Sequence, residues 1–442
     1  MKKLLVITLL GLMFGMNMQA EDHVLAATKS SEARKDVPAV LELSLKDAQN
    51  YAIAQNRSLK NASLAVQEAY AQRWQTIAAM LPQVDGTVSY TNMLGYEINF
   101  GAMTRPMLPY LNVGPQVAVG FNVQGVIGVL LNNVAIDMKK ISLEKSESEL
   151  RGSVMSSYVS VLALQSISNL LDSSLMNIQE LEAITQNAVN AGAAEQTSAD
   201  QIRVRVNTLK NNINVQKRLI ELATNSLKVL LDVPVETELV LTENLDAILS
   251  PERVLNLLGE NFNIENNLNY QRLQKQTELA KRNVAMAGAA YGPTLSAYYQ
   301  YNYRKDFGEG GFSMAPPQTA GVTVSIPLWS SGKRAAGVIE KKIALEEAKN
   351  TLSETTDNLA IQYSQLCFNL TNAYETYINE KENIDVTQRV FASTTNKYQW
   401  GAASNVELTN ASNDLISAQS TYVQAILSLV NAQVELEIFL NN

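Results

Sequence analysis

Two spacings of apolar residues alternate along this chain, and each predicts a different element. A beat of seven marks Leu143, Leu150, Leu164, Leu171 and Ile178, interrupted at Ser157, and returns as Val338, Leu345, Leu352, Leu359, Leu366 and Ala373. Sustained over several heptads, that beat predicts helices wrapped around partner helices. Proline costs about 3 kcal/mol inside a helix, and none occurs between Pro115 and Pro234 or after Pro327. Long helices are therefore expected over about 134–190 and 334–398, each about 60 residues or ~90 Å long at 1.5 Å per residue. Asn211, Asn212 and Asn225 weaken the helix that returns after the first, where short breaks are expected.

The second spacing has period two. Val84, Gly86, Val88 and Tyr90 alternate with Asp85, Thr87, Ser89 and Thr91, and Val117, Val119, Phe121 and Val123 alternate with Ala118, Gly120 and Asn122. Further on, Leu295, Ala297, Tyr299, Tyr301 and Tyr303 alternate with Ser296, Gln300, Asn302 and Arg304; Val322, Val324, Ile326 and Leu328 alternate with Thr323, Ser325 and Pro327. Each run predicts a strand with one apolar and one polar face. The strand pairs occupy about 83–129 and 294–329, and their runs of about ten residues match tilted transmembrane β-strands.

No charge falls between Pro106 and Ile136 or between Gly310 and Gly332. A soluble hairpin normally shows charge on its wet side, so the pattern favours membrane strands around a polar, weakly charged lumen over an ordinary hairpin. Four strands cannot close a barrel, because single-chain barrels start at about eight and open edges are excluded from hydrocarbon. Membrane strands here imply one barrel shared by several copies, with tyrosines at its rim.

The chain is written twice. Leu143 corresponds to Leu352, Leu150 to Leu359, and Gly192-Ala193-Ala194 to Gly401-Ala402-Ala403, all at a shift of 209 residues, while Pro82 and Pro293 stand 211 apart. A tandem duplication follows. The first repeat spans 41–232, a connection 233–263, and the second repeat 264–442. Each repeat reads as a helical segment (about 44–80 and 264–290), a proline-led strand pair, a long helix, a Gly-Ala-Ala turn and a helix that comes back.

Composition narrows the function. Residues 1–20, MKKLLVITLLGLMFGMNMQA, place Lys2 and Lys3 ahead of an apolar core and end on a small residue, the pattern of a secretory signal peptide; 21–40 reads as an N-terminal extension. Cys367 is the only cysteine and His23 the only histidine, which excludes internal disulfides and a multi-histidine metal centre within one chain. Formal charge is −8, and −10 once Lys2 and Lys3 leave with the signal, which gives no electrostatic reason to expect nucleic acid. The uncharged stretch 152–171, GSVMSSYVSVLALQSISNLL, carries enough serine and amide to read as a helix buried against other helices.

The features that recur together are LSLKDAQNYAIAQNRSLKNA near the start, LPQVDGTVSY and GPTLSAYYQY at the strand starts, VSIPLWSSGKRAAGVIEKKIALEEAK, and KYQWGAASNVELTNASNDLISAQSTYVQA near the end. On these the chain resembles the TolC-like outer-membrane efflux proteins of Gram-negative bacteria, from about residue 40 to 440. Pro327, Leu328, Trp329 and Gly332 look like the family's strand-to-helix junction; the first half has no such proline.

The resemblance implies a mainly α fold with membrane β. In a homotrimer, each protomer would give four strands to a twelve-stranded barrel in outer-membrane lipid and its helices to a periplasmic coiled-coil tunnel. It also implies an inner-membrane pump and a periplasmic adaptor as partners, a passive duct for small molecules in preference to secreted proteins, no catalysis and no cofactor or metal.

The same resemblance singles out the helix tips. Glu407, six residues beyond Gly401, matches an acid of the family's periplasmic constriction, and threefold symmetry would gather its copies, raise the pKa of some and attract cations. A second acid one turn on is replaced here by Asn410. Tyr398 matches a tyrosine that helps latch the closed state, and Glu195 and Asp200 flank the first turn. Carboxylates there are also favoured simply by a helix N-terminus. The turns Gly192, Ala193, Ala194 and Gly401, Ala402, Ala403 would meet the adaptor. Three other classes compete with the duct: a soluble periplasmic coiled-coil scaffold, a periplasmic enzyme, and a self-sufficient porin. The sequence offers no phosphate loop, nucleophile motif or metal cluster to the enzyme.

Overall fold

In a computed structural model of the chain, residues 39–99, 101, 104–308 and 316–441 are described. The expected signal peptide and nearly all of the N-terminal extension lie outside them. In chain order the elements are β1 (Val40–Leu43), α1 (Leu45–Gln55), α2 (Arg57–Ala78), β2 (Gln83–Thr91), β3 (Glu97–Asn99), β4 (Thr104–Pro106), β5 (Tyr110–Phe121), α3 (Val123–Asn190) and α4 (Gln196–Leu231). They continue as β6 (Glu238–Leu241), α5 (Leu245–Ile248), α6 (Pro251–Gly259), α7 (Leu268–Ala289), β7 (Thr294–Tyr301), β8 (Tyr303–Asp306), β9 (Gln318–Ser325), α8 (Lys333–Gln399) and α9 (Asn405–Leu440).

The described residues gather into two compact units, one from 39–57, 149–259 and 368–435, the other from 58–148, 260–367 and 436–441. The units cut across the sequence repeats, since each takes segments from both. The long helices α3 and α8 pass from one unit into the other.

The first unit is held by heptad seams. On α4 one buried seam runs through Ala199, Ile202, Val206, Leu209 and Ile213; on α9 one runs through Leu408, Ala411, Leu415, Ala418, Tyr422, Ala425 and Leu429, among further buried residues. Steps of three and four alternate along both, the signature of helices packed side by side. Ile178 and Leu181 of α3 and Phe391 of α8 close the same core with Ile202, Val206, Leu408, Ala411 and Leu415. Contrary to the expected breaks, α4 runs through Asn211, Asn212 and Asn225 without interruption, with buried residues up to Ile213 and again from Leu227.

Around this bundle, β1 pairs in parallel with β6, and Ser44 caps α1 by accepting from the Asp47 N–H. The Tyr158 ring is fully buried, its hydroxyl donating to the Leu43 carbonyl at 3.0 Å and accepting from the Glu243 N–H at 3.3 Å. Burial raises the pKa of that phenol. Val154, Met155, Val159 and Val161 are buried with it, so 152–171 is a packed helix. Both α3 and α9 are long and apolar enough to cross a membrane by composition, yet more than half of each apolar window is buried within the chain.

The second unit carries the strands and the helix ends that lead into them. Lys275 pairs with Asp137 at 2.9 Å, and Arg282 with Glu278 at 2.6 Å. Phe262 lies 5.1 Å from both Tyr363 and Phe439, and Asn267 donates to the Phe439 carbonyl while capping α7.

Three boundaries differ from expectation. The expected helix 44–80 divides at Asn56, whose side chain leaves the helical line to donate to the Leu230 carbonyl. The first strand pair ends at Phe121, and α3 begins at Val123 instead of 134, because the Asn122 side chain accepts from the Gly125 N–H at 2.6 Å and starts the helix there. The connection 233–263 is folded as β6, α5 and α6.

Candidate functional site

The main sheet has the order β2-β5-β7-β9, all antiparallel, with β8 carrying the β7 line further along β5. Residues opposite one another in antiparallel strands share a face, so the register tests the alternation directly. Val84 faces Val117, Val117 faces Tyr299 and Tyr299 faces Ala320; Phe121 faces Leu295, and Leu295 faces Val324. Every strand thus turns most of its apolar residues to the same side, Ala118, Tyr110 and Tyr298 being the exceptions. The other side collects Asp85, Gln116, Gln300 and Thr319 in one row, and Ser89, Asn112 and Arg304 in another.

On the apolar face the one charge among the described strand residues is Lys305, in the row Tyr90, Leu111, Lys305. On the polar face Arg304 lies 3.7 Å over the Tyr110 ring and is paired with Asp306 at 2.7 Å. Asn112 and Gln300 both donate to the Asn302 side chain. Gly114 has a steric cause, since an added Cβ would sit 1.7 Å from the Tyr301 carbonyl oxygen where β7 gives way to β8.

All four helix junctions lie at one end of this sheet: α2 into β2, β5 into α3, α7 into β7 and β9 into α8. Aromatic side chains frame both ends. At the helix end stand Phe121, Tyr291 and the expected junction residues, with Leu328 and Trp329 89% and 85% exposed and Gly332 at φ +80° completing the turn that begins at Pro327. Arg334 secures that turn, donating to the Pro327 carbonyl at 2.8 Å and the Ser330 hydroxyl at 3.0 Å over the Tyr291 ring. At the far end Tyr90 meets Phe307 edge-on at 5.9 Å, beside Tyr303 and Lys305.

The helix tips belong to the first unit, and their backbones are copies. Gly192 and Gly401 both adopt positive φ, +74° and +70°. The Ala193 N–H reaches the Ala188 carbonyl and the Gly192 N–H that of Val189; Ala402 reaches Lys397 and Gly401 reaches Tyr398 in the same way. This is the helix end that glycine permits. Ala193 and Ala402 are exposed, Ala194 and Ala403 half-buried, and Trp400 beside them is 86% exposed.

After the turns the copies diverge. Ser404 and Glu407 form a reciprocal capping box: the Ser404 N–H donates to the Glu407 carboxylate at 2.6 Å, and the Glu407 N–H to the Ser404 hydroxyl at 3.2 Å. Within one copy the Ser404 N–H holds the carboxyl of Glu407 below the usual glutamate range. Glu195 sits at the N-cap of α4 with no side-chain bond to the helix backbone, its carboxylate accepting instead from the Thr197 hydroxyl in the first turn, while Asp200 accepts from Gln196. Asn410 is exposed one turn past Glu407, and Tyr398 packs on the bundle core.

Sequence reasoning missed the link between the tips. Arg205 donates to both the backbone and side-chain oxygens of Asn405 at 3.0 Å, and Asn405 donates to Gln201. Partial burial lowers the Arg205 pKa. Nothing in the local pattern announces a contact 200 residues apart, whereas the Ser404-x-x-Glu407 box was there to be read.

Comparison with known families matches residues 263–442 to the outer membrane efflux protein family. No curated protein matches the chain significantly. Among solved structures the fold is similar to CusC, studied for its folding and transmembrane channel formation, at TM-score 0.70 and 18% identity over 90% of this chain and 91% of that one. It is also similar to the outer membrane protein VceC of Vibrio cholerae, at 0.69 and 15% over 89% and 95%, and to the open MtrE outer membrane channel of Neisseria gonorrhoeae, at 0.66 and 15% over 90% and 89%. Residues 263–442 thus match the outer membrane efflux protein family, and about 90% of the chain shares the fold of these outer-membrane channel structures.

Proposed function

We propose that this chain is the outer-membrane duct of a tripartite export system. Three copies close one barrel in the outer membrane, and their long helices line a passage through the periplasm. An inner-membrane pump and a periplasmic adaptor deliver small molecules to it and supply the energy. The duct itself needs no catalysis.

One observation carries this reading. The register gathers most apolar residues of all strand lines onto a single face while β2 and β9 each keep one unpaired edge among the described residues. An apolar face suits lipid, and lipid forbids the open edges unless further copies pair with them. The strand order lets β9 of one copy meet β2 of the next. The similarity to outer membrane channels supports the same arrangement, and the aromatic frames at both ends of the sheet suit the two membrane interfaces.

At the tips, three Glu407 carboxylates, held ionised by the capping box, would favour cations at the entrance. The four small residues Ala193, Ala194, Ala402 and Ala403 would let an adaptor helix approach closely, with Tyr398 holding the tip against its own bundle.

The test is the mass of the purified protein in mild detergent, followed by current across a planar bilayer. A trimer carrying cation-selective current is expected. A stable monomer that stays in the soluble periplasmic fraction would overturn the reading.

A further inference from the structure

The two ends of the sheet use their cations differently. Arg334, at the helix end, spends its donors on the Pro327 carbonyl and the Ser330 hydroxyl and lies over Tyr291. Lys305, at the far end, is exposed, and among the described residues no carboxylate pairs with it. Its sequence neighbours Arg304 and Asp306 do not serve it, because they point to the opposite face and bind each other.

We propose that Lys305 holds the phosphate of an anionic lipid headgroup at the outer rim of the barrel. The inference rests on the reading above that the apolar face meets lipid. A single ammonium at the edge of such a face has two places to put its charge, water or a headgroup. Its surroundings favour the headgroup. Tyr90 and Leu111 share its row, Tyr303 lies two residues before it on the same face at 58% exposure, and the Phe307 ring rests against Tyr90. Aromatic rings of this kind settle at headgroup depth, which brings the ammonium level with lipid phosphates, while the alkyl stem stays over the apolar face. With one such site per copy, three lipids would ring a trimer on the side away from the helices.

Native mass spectrometry of the delipidated full-length trimer, offered phosphatidylglycerol or phosphatidylcholine, tests the assignment. Wild type should retain phosphatidylglycerol in preference to phosphatidylcholine, up to one molecule per chain. Lys305→Gln should lower that preference about fivefold per site, the effect of one cation at an anionic surface, and Lys305→Arg should keep it. Equal retention by wild type and Lys305→Gln would overturn the proposal. So would displacement of the lipid by millimolar inorganic phosphate, which would make Lys305 a site for free anions. A protein that forms no lipid-inserted trimer would instead remove the membrane reading, and this inference with it.

Discussion

Exchanging one residue for arginine on each face of β5 tests the barrel most directly. From Leu111 to Phe121 the apolar face of β5 advances about ten residues, or ~33 Å along the strand. At a tilt of about 40° that covers ~25 Å of membrane thickness, the height of a barrel's apolar band. Val117 lies one residue past the middle of this span, opposite Val84 and Tyr299 on the apolar face; Gln116 lies at the middle, opposite Asp85 and Gln300 on the polar face. An arginine facing lipid at mid-depth costs about 2–4 kcal/mol, so Val117→Arg in three copies costs about 6–12 kcal/mol, comparable to the whole stability of a typical domain at ~5–15 kcal/mol. Gln116→Arg faces the lumen and should change stability by less than about 0.5 kcal/mol. Val117→Met controls for bulk. Yield of trimer in the outer-membrane fraction and the urea midpoint after refolding into vesicles are the assays: Val117→Arg should abolish the trimer and Gln116→Arg preserve it. If Gln116→Arg proved as damaging as Val117→Arg, the division of the sheet into a lipid face and a lumen face would be wrong.

The remaining predictions concern the first unit. Gly401→Ala should cost about 1–2 kcal/mol of left-handed backbone strain, with no steric part because an added Cβ meets nothing within 4 Å; Gly192→Ala should match it in urea titration. Leu408→Ala removes a side chain with no exposed surface from the tip core and should cost about 2–5 kcal/mol. Tyr158→Phe removes the hydroxyl that the Glu243 N–H donates to and leaves the Leu43 carbonyl with only its bond from the Thr242 N–H, a loss of about 1–3 kcal/mol in the same assay. The pKa of Glu407 is lowered on folding, so its contribution is present at neutral pH and is lost as pH falls from the usual glutamate range through the lowered value. Glu407→Gln should remove that pH dependence and weaken cation selectivity while keeping the capping box; Glu407→Ala should lose both box and selectivity.

What could be read in the sequence was whatever a local period enforces. A helix that buries one seam must repeat apolar residues every three or four positions, and Leu359, Leu366 and Ala373 are buried as their beat of seven requires. A strand with lipid on one side must alternate, and the alternation predicted which residues would share a face before any register was known. The start of α3 was hidden because Val123, Val126, Ile127 and Val129 are β-branched and read as strand, while the deciding interaction is one side-chain bond from Asn122. Long-range pairings were hidden more deeply. The Gln116 to Gln300 pairing joins the two repeats in the sheet, and Arg205 to Asn405 joins them at the tips; neither has a periodic cause.

The duplication separates what the backbone demands from what function has room to vary. Both tips keep glycine at positive φ and the same pair of backbone hydrogen bonds, because a long helix that must reverse within a few residues has few other ways to end. The helix starts that follow are under no such constraint. One ties Glu195 to the Thr197 hydroxyl of its first turn with no capping bond to the backbone; the other locks Glu407 into a capping box and anchors Asn405 to Arg205. Each copy thus carries one carboxylate held by a backbone N–H and one held by a side-chain hydroxyl, which can itself rotate, at the same end of the bundle. A ring of entrance charges built from Glu407 would therefore keep its geometry through motions of the tip, whereas one built from Glu195 would not, which makes the second tip the better place for selectivity.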